Sequence, residues 1–241
     1  MATRIDEISD GIFRISTFVP AINPPTGFTF NQFLVKAEQP LLFHCGHRKM
    51  FPQIAEAVSR VMPVSALRWI SFSHVEADEC GALENWLEAA PAATAAHSAV
   101  GCRIWIGDLT DRLRALRDGE TIDLGGKRVR HLDTPHLPHG WDAGLLFEET
   151  SATLFCSDLF AHGGNGPAVT GEDLVSIAIE SEERSQSMSL TPATAATLRR
   201  LAGLAPRTLA VMHGSSYAGD AVASLGALAD HAERKLKSLA A

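Results

Sequence analysis

The chain has 241 residues, 46% of them hydrophobic, with no long polar or low-complexity linker, so one α/β domain over residues 1–241 is expected. Its 28 acidic and 21 basic residues give a formal charge of −7, which argues against nucleic acid as a partner. There is no signal-peptide-length apolar stretch at the N-terminus and no run of about eighteen apolar residues, so a cytoplasmic protein without membrane contact is expected.

Apolar and alternating runs predict strands over residues 11–16, 29–36 and 41–44, then a helix over 50–61. The largely apolar run 67–72 predicts another strand, and it leads into Ser73-His74-Val75-Glu76-Ala77-Asp78-Glu79-Cys80-Gly81. Helices are expected over 81–90 and 108–117. In the second of these, Arg112, Arg114 and Arg117 among Asp108, Asp111 and Asp118 read as the solvated face of a short amphipathic helix. Strands follow at 127–132, 144–147, 153–156 and 208–212, with helices at 191–202 and 221–239. Thr191-Pro192 opens the first of these last helices as a cap and a proline at the first helical position. The four cysteines, Cys45, Cys80, Cys102 and Cys156, form no Cys-x-x-Cys pair, which suits a reducing compartment and argues against a disulfide framework or a rubredoxin-type centre.

His74, Glu76 and Asp78 carry the chemistry of the 73–81 segment. A strand points alternate side chains to one face, so an imidazole and two carboxylates at this spacing can converge where the strand frays. Three ligands are half of a two-metal site. The other half is expected after later strands, where three positions qualify: His139 beyond the 127–132 strand, Asp158 after 153–156, and His213 at the end of 208–212. His136 is a rival to His139. Mixed carboxylate and imidazole sites with open positions suit iron or manganese, while histidine-richer, four-coordinate sites suit zinc.

His-x-Glu-x-Asp, an isolated His, a strand-ending Asp and a strand-ending His-Gly, in that order, resemble the metallo-β-lactamase superfamily. Residues 30–35 and 41–46 are similar to its opening strands and first strand-loop, so the resemblance covers most of the chain. Glu76 stands where the hydrolases carry the second His of His-x-His-x-Asp-His. That exchange resembles the di-iron branch, the flavodiiron proteins and their oxygen-binding relatives. The resemblance implies a four-layer αββα sandwich in which 41–46 and 153–158 occupy corresponding places of two halves. It further implies two iron ions, with zinc or manganese as alternatives: His74, Glu76 and His139 on one, Asp78 and His213 on the other, Asp158 bridging. Trp141 and Asp142 follow His139 at about the offsets of that branch, which favours it over His136. Two positions depart from the pattern: His44 replaces a strand-ending Asp, and Glu79 replaces the His that follows the motif's Asp in many relatives.

His136, His162 and Tyr217 are pocket candidates, with Tyr217 able to donate a hydrogen bond to a diatomic ligand. His97, in the Ala-rich stretch 92–100, and His231 read as ordinary surface or half-buried residues. Glu79, Asp133 and Asp142 can orient the imidazoles or equally be solvated loop carboxylates. Cys80, two positions from Asp78, is open to oxidation by chemistry at the metals, and the glycine-rich loop 163–167 suggests a lid. Flavodiiron reductases carry a flavodoxin-like domain after the metal domain. Here no Gly-rich phosphate loop follows a late strand, so no flavin is expected in this chain and electrons must come from an external donor. The leading reading is a di-iron protein that binds dioxygen or a related diatomic, as a sensor with a signalling partner or as an oxidoreductase. The alternative is a dinuclear metal-dependent hydrolase of an ester, lactone or thioester. A homo-oligomer is compatible with either.

Overall fold

A computed structural model of the chain describes residues 3–239. Met1 and Ala2, where the segment read as free of a signal peptide begins, and Ala240 and Ala241 lie outside the described residues. Seven strands follow one another across a first sheet: β1 (Thr3–Ser9), β2 (Ile12–Val19), β3 (Phe28–Val35), β4 (Leu41–Phe43), β5 (Trp69–Ser71), β6 (Thr94–Ser98) and β7 (Leu113–Leu116). A second seven-stranded sheet is built from β8 (Thr121–Asp123), β9 (Arg128–Asp133), β10 (Gly144–Glu148), β11 (Thr153–Ser157), β12 (Val169–Thr170), β13 (Thr208–Val211) and β14 (Ser216–Tyr217). Its spatial order is β12-β14-β13-β11-β10-β9-β8.

Helices α1 (Phe51–Ser59), α2 (Ala77–Cys80) and α3 (Leu83–Ala89) belong to the first half of the chain, as do α4 (Ala99–Gly101) and α5 (Gly107–Leu109), which a π-helical segment over Cys102–Ile106 joins into one continuous helix. In the second half lie α6 (Leu174–Ser185), α7 (Thr194–Ala202) and α8 (Ala221–Leu239). Among the described residues no helix is long and apolar enough to cross a membrane.

Side chains alternate across each strand, and that alternation fills three apolar layers. On β3, Phe33 and Val35 enter the layer between the sheets with Ile12, Phe43, Val129, Leu146 and Phe155, while Leu34 points the other way. Leu34, Leu42 and Ile70 pack under Ile54, Val58, Leu83 and Trp86 of α1 and α3. Leu154, Leu209 and Val211 pack under Leu198 and Leu201 of α7 and Leu225 of α8. Three filled interfaces make four layers, αββα, as the resemblance implies.

Parallel pairing joins β4 to β5, β5 to β6, and β11 to β13. Parallel strands end at a common edge, and open α/β sheets gather their functional groups beyond those carboxyl ends. His44 leaves β4, His74 follows β5, Asp158 follows β11 and His213 follows β13.

Several local expectations are corrected. The 108–117 helix is instead α5, the end of a helix continuous from Ala99, followed by strand β7. Arg112 there donates to the carbonyl oxygens of Leu87, Ala90, Pro91 and Ala93, closing the end of α3, and Arg114 lies over the Trp69 ring. Two of the arginines read as a solvated helix face, Arg112 and Arg114, are thus bound to backbone and ring, while Arg117 is exposed. Helical structure begins at Ala77 rather than Gly81, so Asp78 and Glu79 sit on a helical turn. Helix α7 starts at Thr194, three residues after Thr191, whose hydroxyl accepts from Ala193 N. Strands β1, β6, β8, β12 and β14 and helix α6 are additions. β6 reads Thr94-Ala95-Ala96-His97-Ser98, nearly without the β-branched and aromatic residues that mark strands.

Candidate metal centre

His74, Glu76 and Asp78 converge through a change of backbone rather than through strand alternation. After β5 the chain turns at Ser73 and His74. Glu76 is extended at the N-cap of α2, and Asp78 lies in that helix's first turn. Three buried groups fix the turn from behind. His97 accepts from Ser98 N at Nδ1, so its Nε2 donates to Ser73 O at 3.1 Å. Asp142 accepts from Val75 N at 2.9 Å, and Glu79 accepts from Ser73 N at 2.9 Å. His97 is fully buried, which corrects its reading as a surface or half-buried residue. Burial holds its imidazole down at about 3, in the neutral form that this one-donor, one-acceptor pattern requires.

His139 arrives from the loop after β9. Gly140 follows it with φ +79°, and a Cβ there would lie 3.2 Å from the Cβ of His74, so glycine lets the two histidine segments approach. The rings of His74 and His139 stand edge to face, 4.3 Å apart. Asp158 follows Ser157, whose φ of +50° turns the chain at the end of β11. His213 is oriented by its Nδ1 donating to Thr29 O at 2.7 Å and by Phe28 stacking at 4.2 Å. Gly214 has φ +102°, and a Cβ on it would fall 2.2 Å from the His162 ring.

Nε2 of His74 and Nε2 of His139 both approach Glu76 Oε2, at 2.9 and 3.0 Å, and both lie 3.6 Å from Asp158 Oδ2. The other oxygen of Asp158 lies 3.1 Å from His213 Nε2, which is 3.4 Å from Asp78 Oδ2. Asp158 thus stands between two groups of donors. Donors about 2.1 Å from a metal are about 3.0 Å apart at octahedral angles and about 3.4 Å at tetrahedral ones, so these separations match the edges of coordination polyhedra. Three carboxylates facing three imidazoles also supply the charge that divalent cations need, and the residues fit a metal pair.

Electrostatics agree. Burial alone would lower the His74 pKa, but Glu79, Glu76 and Asp158 overcome it and hold the imidazole up at about 9. For His213 burial is likewise outweighed, by hydrogen bonds to Asp158 and Asp78, which raise it to about 10. A hydrogen bond to Glu76 raises His139. Hydrogen bonds from His139 and then His74 hold Glu76 well below the usual carboxylate range. Without a cation these imidazoles keep protons, which a metal would displace.

The three pocket candidates lie elsewhere. His136 is exposed, with its backbone N–H donating to Gly140 O. His162 is buried, donating from Nδ1 to Phe160 O and accepting at Nε2 from Ser215 N, so it ties the Asp158 loop to the His213 loop. Tyr217 is buried in the apolar layer beneath α6 and α8. Cys80 is buried too, and burial pushes its thiol up to about 12. The 163–167 loop does not hang free: Arg4 donates to Asn165 Oδ1 and Gly166 O, and Gly164 N donates to Gly27 O.

Glu76, Asp78, His139, Asp158 and His213 open onto a cavity of about 440 Å³, walled by Ile22, Phe28, Phe160, Ala178, Met188 and Leu228. Helix α6, absent from the sequence reading, forms one wall through Ala178, Ser181 and Ser185. Its one sequence signal is Asp173, whose side chain caps it by accepting from Val175 and Ser176 N–H.

A family model described as "ODP family beta lactamase" matches residues 28–214, most of the chain and all six candidate ligands. The chain belongs to this family. Its homologues include the flavo-diiron protein FprA2 of Clostridium acetobutylicum, 24% identical over 65% of the chain and 42% of that protein. Rubredoxin-oxygen oxidoreductase of Megalodesulfovibrio gigas is 23% identical over 81% of the chain and 50% of that protein. The solved structure of rubredoxin oxygen:oxidoreductase from Desulfovibrio gigas superposes with a TM-score of 0.81, at 20% identity, over 94% of this chain and 62% of that one. The chain spans half or less of these two curated relatives. The ODP-family fold is therefore shared with one portion of larger flavodiiron proteins.

Proposed function

We propose that this chain is a di-iron domain that binds dioxygen or a related diatomic such as nitric oxide, with electrons supplied from outside residues 1–241. The observation that supports it most is the sharing of Glu76 Oε2 between His74 and His139, with Asp158 between both donor groups. A carboxylate-rich set with open positions suits iron. A ferrous pair held there would supply one-electron redox chemistry to a diatomic ligand. The residues do the rest. His213 and His74 are held by Thr29 O and Ser73 from behind, so their Nε2 atoms present at fixed places. Phe28, Phe160 and Met188 supply the apolar part of the cavity wall, and Ser181, Glu182 and Arg184 of α6 supply a polar part. The oxidoreductases named above carry the same fold and are the basis for choosing reduction of a diatomic; sensing with a signalling partner is the variant without turnover.

Anaerobic addition of ferrous iron followed by oxygen is expected to give a charge-transfer absorption, and oxygen consumption when a reductant is present. An iron-loaded protein that stays spectrally silent contradicts the proposal.

A second reading has its own observation, the 440 Å³ cavity, which exceeds what a diatomic fills and matches the lower range for organic ligands. A hydrolase of an ester, lactone or thioester would use it, with Asp158 and Asp78 holding zinc or manganese. Turnover of such substrates by the zinc-loaded protein, lost in Asp158→Ala, is the result this reading expects, and no turnover across a broad panel counts against it.

A further inference from the structure

We propose that the two metal positions are unequal, one tight and one weak and exchangeable, because Glu79 is built into the support beneath the site and gives neither position a ligand. This rests on the metal-binding reading above.

Asp78 and Glu79 are neighbours on one helical turn, so their side chains leave it about 100° apart. Asp78 faces the cavity and His213. Glu79 faces the protein, 1% exposed, and both of its oxygens are engaged there. One oxygen accepts from Ser73 N at 2.9 Å and lies 3.2 Å from His44 Nε2. The other accepts from Ser157 Oγ at 2.7 Å and lies 3.7 Å from Nδ1 of His74. That nitrogen is on the side of the ring away from Glu76, whereas the candidate ligands meet Nε2. Glu79 is therefore a strut joining the ends of β4, β5 and β11, directly behind His74 and Asp158. His44, the other departure from the superfamily pattern, completes this support from the end of β4, with its Nδ1 3.3 Å from Asn31 O.

The donor count follows. His74, Glu76, His139 and Asp158 bring four donor atoms within 4.8 Å of one another, the one such group among the described residues. The second position has Asp78, His213 and the other oxygen of Asp158, linked in series through His213 rather than closed into a cluster. Three donors hold a cation less firmly than four and leave more places to water or substrate. The weak position is accordingly where metal identity and occupancy respond to supply, and chelation removes that ion first.

The test is anaerobic titration of metal-free protein with Co²⁺, followed by calorimetry and visible absorption, on wild type, Asp78→Asn, His139→Ala and Glu79→Gln, with circular dichroism to confirm folding. Wild type is expected to show two binding events separated by more than about tenfold in Kd, the scale on which changes around a metal alter affinity. Asp78→Asn should remove the weaker event and keep the tighter one, and His139→Ala should weaken the tighter one. Glu79→Gln, near in size and still able to bond Ser73 and Ser157, should keep the weak event. Two events of equal affinity, or loss of the weak event in Glu79→Gln, overturn the inference while leaving metal binding intact. No binding at all overturns the metal-binding reading itself.

Discussion

The two halves of the site are built by different means. His74, Glu76 and Asp78 come from one five-residue span beyond β5, where a turn and the N-cap of α2 aim all three. His139, Asp158 and His213 come from three loops beyond β9, β11 and β13, each aimed by its own device: Gly140, the turn at Ser157, and Thr29 O with Phe28. The first half is a local motif. The second is a product of topology, assembled only when the second sheet has formed and packed on the first.

That contrast sets the expected size of each perturbation. Asp158 is the residue on which both groups close, so Asp158→Ala should cost the most, lowering metal content toward none when measured by elemental analysis after desalting. Glu76→His leaves the topology alone and changes the local motif. Its expected effect is a shift in metal preference from iron toward zinc, read as the Zn/Fe ratio after loading from an equimolar mixture. An unchanged ratio would show that Glu76 does not set the choice.

Gly214→Ala attacks the second half through the backbone. A side chain at φ +102° meeting the His162 ring should destabilise the fold by roughly 3 kcal/mol, combining strain and overpacking, seen as a lower midpoint in denaturant. A midpoint equal to wild type would mean that the His213 loop relaxes freely. A further effect, set by pH, concerns His97, behind the local motif. Its pKa is about 3 in the fold against 6.5 ordinarily, so below pH 6.5 the unfolded chain binds a proton that the native one excludes. Stability should therefore fall as pH falls from 6.5 toward 3, by up to about 1.4 kcal/mol per unit from this group. His97→Gln should flatten that slope in pH-dependent unfolding, and an unchanged slope would show that His97 is not its source.

What the sequence disclosed divides along the same line. The His74-Glu76-Asp78 spacing and the strand ends at Asp158 and His213 were visible because apolar runs stop abruptly at polar, ligand-type residues. The αββα layering came from the resemblance, since periodicity yields strands and helices without their stacking. One of the supports escaped. His97 lies in an alanine-rich strand with little β signal, while Glu79 and Asp142 read equally as orienting groups or as solvated loop carboxylates, and their burial is what decides between the two. Arg112 and its neighbours mimic a solvated helix face because the same charge alternation leads into an edge strand, where Arg112 reaches backbone carbonyls and Arg114 pairs with Glu120. Helix α6, the cavity wall, has a weak apolar pattern because its residues divide between the core and the cavity.

The most direct measurement of the central claim is anaerobic loading with excess ferrous iron, iron analysis of the loaded sample, and its absorption before and after oxygen. About two irons per chain and a new charge-transfer band on exposure to oxygen are the predicted result. A chain that takes up iron at this site and shows no spectral response to oxygen or nitric oxide would contradict it.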